Sequence, residues 1–337
     1  MAEVIATPDR RLGRLVRWDV LVAVLLVLVL GYGFVGVDNF GSTLNLSFLL
    51  GNTMVIALVA LPMTMLVVAG EVDLSVGSMA GLSSALMGAL WNAGWPIEDI
   101  IPFCVVIGAV GGLINGLLVT RLGLPSLAVT IGTLAAFRGI AQIVLGSDTV
   151  TDWPVNYLNF GAGRIGDTSL PYTVIPYLIL LLVAAVLLHA TATGRSLYAI
   201  GANREAAFFA GIRVKRLKLL MFVATGTVSA FAGVIWTLHY ATAVYSNATG
   251  LELSVIAAVL LGGVDFDGGK GTLFGAVAGV FLLGTLQNLM SLASVSAQSQ
   301  IIVTGVLLVV SVLGPRVARQ LNARFHRSHP PQERQST

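Results

Sequence analysis

The sequence predicts an all-α polytopic membrane protein of about ten transmembrane helices. Of its 337 residues, 56% are hydrophobic and only 10% charged, against roughly 45–50% apolar and about 25% charged in soluble domains. Mean hydropathy is +0.89. At about 20 residues per crossing, ten spans use about 200 residues and leave short connections, so no large soluble domain fits beside them.

Apolar windows place the spans near 20–36, 47–69, 74–91, 102–120, 124–146, 173–190, 219–240, 251–263, 271–293 and 300–314. The first follows a basic stretch, as the core of a secretory signal would. No small-x-small cleavage site follows it, so it reads as an uncleaved anchor after a cytoplasmic N-terminus, residues 1–19. The eighth window has 13 residues, too few to cross unaided; it is either extended by its flanks or part of a broken element. Residues 20–314 form the transmembrane domain, and residues 315–337, with Pro330 and Pro331, read as a disordered cytoplasmic tail beside anionic lipid.

With the N-terminus inside, 17 of the 19 basic residues fall on inner segments; Arg164 lies outside and Arg138 within a span. The positive-inside rule then puts both termini in the cytoplasm. The net charge of +3 is thereby a matter of membrane orientation, and no nucleic-acid partner is expected. A single cysteine, Cys104, excludes a disulfide framework, and the isolated His189 and His239 give no metal site.

Small residues such as Gly108, Gly111, Gly112 and Gly116 suit close helix packing in lipid. Polar side chains within spans include Asn52, Asn115, Thr130, Thr133, Gln287 and Asn288. Asn115, Thr130 and Thr133 either edge a translocation pathway or hydrogen-bond across helices. Arg138, roughly 21 Å into its span, either snorkels to the outer interface or lines an outward vestibule. No Asp or Glu is expected mid-span, which removes the usual relay of an ion-coupled transporter; that class is the rival reading.

The run Gly262 to Thr272 superficially resembles a phosphate-binding loop. The pattern fails, because Val264 stands where its first glycine belongs and Gly271 where Ser or Thr should follow Lys270. The inner segment 191–218 carries more signal. Asn203 is a candidate N-cap, Glu205 suits a first helical turn, and Gly211 is a candidate stop. Six basic residues flank this short helix, which is either an ordinary loop element or a dock for a soluble partner.

At these residues the chain resembles the permease subunits of bacterial ATP-driven sugar importers of the ribose, xylose, rhamnose and autoinducer-2 type. Four motifs carry the resemblance: Gly194-Arg195 through Gly201-x-Asn203-x-x-Ala206-Ala207-x-x-x-Gly211-Ile212; Gly70-Glu71-Val72-Asp73-Leu74-Ser75-Val76-Gly77-Ser78; Asn115-Gly116 followed by Pro125 through Leu134 and Arg138-Gly139; and Leu261-Gly262-Gly263 through Gly271-Thr272. Two departures are Glu71, where the family often shows Gly, and Ser126-Leu127-Ala128, where many members carry a bulkier run.

The resemblance implies a translocation subunit for a small neutral solute, a monosaccharide or an autoinducer-2-like sugar derivative, in a bacterial cell membrane. It implies two ATP-binding subunits that carry ATP and Mg, a second permease copy or paralogue, and an extracytoplasmic substrate-binding protein. This chain itself would hold no cofactor and catalyse nothing. Spans 2–5 would recur, inverted, as spans 7–10. Asn203, Arg204, Glu205, Ala206, Ala207, Gly211 and Ile212 would couple to the ATPase, with Ala206, Ala207 and Ile212 as exposed apolar contacts and Arg204 and Glu205 as orienting charges.

Overall fold

A computed structural model describes residues 18–327. Within those residues the apolar runs fold into helices and no strand forms, because in lipid each backbone N–H and C=O must be satisfied within its own segment. They are α1 (Trp18–Gly36), α2 (Thr43–Val68), α3 (Val76–Asn92), α4 (Ile97–Thr120), α5 (Ser126–Leu145), α6 (Val155–Ala162) and α7 (Val174–Ala185), which one wider turn, Val186–Ala190, continues. There follow α8 (Ala192–Ala202), α9 (Arg204–Phe209), α10 (Val214–Tyr240), α11 (Leu251–Leu261), α12 (Leu273–Leu292) and α13 (Ala297–Arg327).

Each expected span coincides with a helix, but the helices are unequal. Six of them, α1, α2, α4, α5, α10 and α12, are long and apolar enough to cross a membrane alone, and α7 joined to α8 through a 70° bend is a seventh candidate. The chain is a polytopic membrane protein. Its outer surface is apolar, as on α1, where Val24, Val27 and Leu28 are exposed. Lipid, not water, suits such a surface.

Two expectations about the ends need comment. Of the tail expected to be disordered from residue 315, the described part, residues 315–327, is instead helical, and Arg, Ala, Leu and Gln in this stretch favour helix. Residues 1–17 and 328–337, expected to be cytoplasmic, lie outside the described residues.

Connections gather charge at two ends. One, the basic end, carries Arg121, Arg204, Arg213, Lys215, Arg216 and Lys270; the other carries Glu98, Asp99, Asp148, Asp152 and Asp167. Between them α10 runs through the middle of the bundle against α2, α3 and α4. Its closest neighbour is α4, where Gly108 and Gly112 lie against the backbone of Gly226 and Phe222. A side chain at Gly112 would strike the Phe222 carbonyl and Val223, so this small-residue stripe packs helices, as the spacing predicts.

The inverted repeat is visible in which helices touch. Exchanging α2 with α10, α3 with α11, α4 with α12 and α5 with α13 maps every neighbouring pair within this set onto a neighbouring pair: α10–α4 onto α2–α12, α10–α3 onto α2–α11, α3–α5 onto α11–α13, α3–α4 onto α11–α12, α4–α5 onto α12–α13, and α2–α10 and α3–α11 each onto itself. The partners are five crossings apart in the expected order, an odd number, so the two copies run in opposite senses.

Candidate functional site

Each repeat contains an irregular segment that enters the bundle and a helix that starts inside it. In the first, residues 69–75 leave the basic end, where Gly70 lies against Gly201, and reach Thr225. Thr225 is the twelfth residue of the 27-residue α10, close to mid-bundle. There α3 begins. In the second, residues 241–250 turn inward from the opposite end until Ala248 and Glu252 lie over Gly77, near the start of α3. The 11-residue α11, about 16 Å long, then completes the crossing. The short eighth window is therefore half of a broken element. Irregular backbone at this depth persists because protein, not lipid, surrounds it.

This geometry overturns the expectation of no carboxylates mid-bundle. Asp73 is buried just ahead of α3, and Glu252 sits in the first turn of α11. Both belong to the same four-residue order, Asp73-Leu74-Ser75-Val76 and Glu252-Leu253-Ser254-Val255. The hydropathy windows leave Asp73 in a loop and put Glu252 at the very start of the eighth span, and only the inward course of the preceding segments brings both to mid-bundle.

The four residues expected along a pathway are not brought together. Asn115 is buried and donates to Ser75 Oγ at 2.8 Å; Ser75 Oγ in turn donates to Asp73 at 2.6 Å. Thr130 is fully buried and bonds back to the Ser126 carbonyl at 2.8 Å. Thr133 bonds to the Val129 carbonyl at 3.2 Å and edges a shallow apolar pocket with Leu118, Leu124, Pro125 and Gly132. Arg138 neither snorkels nor lines a vestibule. It donates to the carbonyls of Tyr245 and Asn247 at 2.9 and 2.8 Å, satisfying backbone groups that the inward-turning segment leaves without a helix, and its charge also acts on Glu252.

A polar cavity lies instead in the second repeat, towards the acidic end. It holds about 440 Å³ between α2, α10, α11, α12 and α13. Phe48, Trp236 and Tyr240 supply aromatic faces; Asn52, Gln287, Asn288 and Gln300 supply amides; Thr53, Ser254 and Thr304 supply hydroxyls. The Tyr240 hydroxyl donates to Asn52 Oδ1 at 2.9 Å, and His239 pairs the same oxygen at 2.9 Å while its other nitrogen meets the Gly161 carbonyl of α6. Three of these residues, Asn52, Gln287 and Asn288, are legible as polar groups inside spans. Their convergence is not, because it joins helices far apart in the chain.

At the basic end the short helix is built much as the sequence predicts. The Asn203 side chain accepts from the Ala206 N–H at 3.0 Å, Arg204 and Glu205 open α9, and Gly211 takes the left-handed conformation at φ +82°, which glycine adopts without a Cβ penalty. The exposed face differs from expectation. Ala207 is only 4% exposed, Ile212 packs against the core, and Phe208 and Phe209 project instead, 66% and 85% exposed. With Arg204, Glu205, Ile212, Arg213 and Lys215 they line a groove of about 790 Å³. The adjoining α8 is anchored by Tyr198, whose hydroxyl donates to the Gly271 carbonyl at 2.9 Å. Two adjacent phenylalanines between a capping Asn and a terminating Gly are the signal that marks this face.

A family model described as "Branched-chain amino acid transport system / permease component" matches residues 45–312. The chain belongs to this permease family. The chain is also similar to three named import permeases. The autoinducer 2 import system permease protein LsrD of Yersinia enterocolitica is 31% identical over 310 residues, 89% of this chain and 92% of that protein. The ribose import permease protein RbsC of Bacillus subtilis is 36% identical over 280 residues, 82% and 85% of the two chains. LsrD of Escherichia coli K12 is 32% identical over 311 residues, 89% and 92%. No solved structure matches significantly. The stretch of this permease that the family model matches takes in most of both repeats, the cavity and α9.

Proposed function

We propose that this permease is the translocation subunit of an ATP-driven importer for a small neutral solute of the sugar kind, in a bacterial cell membrane with both termini cytoplasmic. The observation that carries this reading is α9, a capped helix that presents Phe208 and Phe209 beside Arg204, Arg213, Lys215 and Arg216 at the basic end. Large aromatics and arginines are the residues that anchor protein interfaces, and an exposed edge-to-face aromatic pair outside the apolar span suits a soluble partner. Two ATP-binding subunits would dock there and carry the ATP and Mg. A second permease copy or paralogue and an external substrate-binding protein complete the assembly. Relatives named for ribose and autoinducer 2 import support the solute class; Asp73 accepts from Ser75 and Thr225, and Glu252 lies in the field of Arg138 with its Oε2 unpaired.

The test is co-purification with the neighbouring ATPase and ATP-dependent uptake in proteoliposomes. Replacing Phe208 and Phe209 together by Ala should cut complex recovery and uptake at least tenfold, about 1.4 kcal/mol or more, while the permease keeps its elution volume and melting temperature. Arg204→Ala should do less, since exposed rim charges contribute under about 1 kcal/mol. Full coupling in the double Phe variant would move the dock to another inner segment, foremost residues 264–271.

A further inference from the structure

We infer that the cavity of the second repeat is itself a binding station for a neutral polyhydroxylated solute, with Trp236 and Tyr240 as its stacking faces and Asn52, Gln287 and Gln300 as the groups that meet hydroxyls. This inference rests on the import reading and goes beyond it, because an importer could leave all selection to a soluble binding protein and provide only a wet gap. The volume of about 440 Å³ lies within the range of small-molecule sites.

The chemistry of the lining selects the class. None of the residues around the cavity is Asp, Glu, Lys or Arg. A zwitterionic amino acid, the solute that the family description names, would bring a carboxylate and an ammonium into this space without a countercharge, which is costly. A sugar ring offers apolar C–H faces to aromatic rings and hydroxyls to amides. Trp236 and Tyr240 stand together, ring centroids 5.1 Å apart. The amides hold capacity in reserve: among the described residues Asn52 Nδ2 donates to nothing, Gln287 Oε1 and Gln300 Oε1 accept from nothing, and Ser254 Oγ has no hydrogen bond.

The first repeat contains the same cluster sealed. Asn115 and Gln287 each stand five residues before the last of α4 and α12. Thr225 and Thr53 each stand fifteen before the last of α10 and α2. Ser75 and Ser254 follow the paired acids. Around α3 these groups bond to one another, Asn115 Nδ2 to Ser75, Ser75 to Asp73 and Thr225 to Asp73 at 3.3 Å, and leave only Asn115 Oδ1, itself buried, unpaired. In the second, their counterparts Thr53, Ser254 and Gln287 surround the cavity instead. Equivalent scaffolding closes on itself in one copy and encloses a polar-lined cavity in the other.

The experiment uses the full chain in nanodiscs and saturation-transfer NMR with D-ribose, D-xylose and L-leucine as probes. Transfer to the sugars is expected, with at least a fivefold loss in Trp236→Ala and in Gln287→Leu, retention in Trp236→Phe, and no transfer to leucine. If Trp236→Ala fails to fold, as judged by elution and melting, Gln300→Leu at the mouth of the same cavity replaces it. Sugar transfer unchanged in the variants, or leucine transfer equal to that of the sugars, overturns the inference. Uptake by the reconstituted importer separates the two readings. Unchanged sugar KM and competition profile in the folded variants remove the station and leave the importer, whereas absence of ATP-dependent uptake with intact sugar transfer removes the importer and leaves the station.

Discussion

Helices α2–α5 and α10–α13 contact one another in the same pattern and in opposite senses, yet their interiors are filled differently. In the first repeat a polar cluster around Asp73 is knitted shut, the ion pair Lys218–Glu71 at 2.6 Å ties the entering loop to α10, and the ground between α4 and α5 is a shallow apolar pocket. In the second, the corresponding ground between α12 and α13 opens into the amide- and aromatic-lined cavity. The two copies share one contact pattern and differ in the side chains that fill it. Val129 and Gln300, each the fourth residue of its helix, illustrate it: an isopropyl group in α5, a carboxamide in α13.

The largest expected effect lies in the sealed repeat. Lys218→Met leaves Glu71 buried without its partner; breaking such a pair costs about 3–5 kcal/mol, and Lys218→Met with Glu71→Met should recover most of it. Thermal unfolding of the purified permease measures both, and a single variant that melts like the parent would mean this repeat is not locked by the pair. Next comes a matched pair of glycines, each eight residues before its helix ends. Gly112→Leu would drive into the backbone of α10, whereas Gly284 meets only the Thr53 side chain at the cavity. Overpacking should cost about 1–3 kcal/mol at Gly112 and clearly less at Gly284. Equal losses of folded protein on size-exclusion chromatography would break the contrast.

A matched pair of threonines sharpens it further. Thr133 and Thr304 are each the eighth residue of their helix, and each bonds back to the carbonyl four residues earlier. Thr304→Trp should lower uptake by about tenfold through filling the cavity, an effect of about 1.4 kcal/mol. Thr133→Trp, placed at the apolar pocket, should change uptake less than about twofold. The reverse order in reconstituted vesicles would return the pathway to α5.

Much of the architecture was legible before any coordinates. Long apolar runs and sparse charge dictate membrane helices, because the bilayer leaves the backbone no other partner. The cap at Asn203 and the stop at Gly211 are local, since each depends on atoms within one or two turns of chain. The depth of Asp73 and Glu252 is illegible for the converse reason. A hydropathy window scores a residue by its neighbours in sequence, whereas these two lie at mid-bundle because whole segments turn inward and pack against α10 and α3.

By itself the sequence determined the all-helical class, the positions of the spans, the separation of charge into two ends and the short helix α9. Tertiary structure alone decided that Phe208 and Phe209, and not Ala207, face outward. It also decided that Arg138 satisfies the carbonyls of Tyr245 and Asn247, and that one of two equivalent clusters is open. Periodicity and capping are written in neighbouring residues, but a cavity is a property of surfaces from five helices meeting, and no single segment contains it.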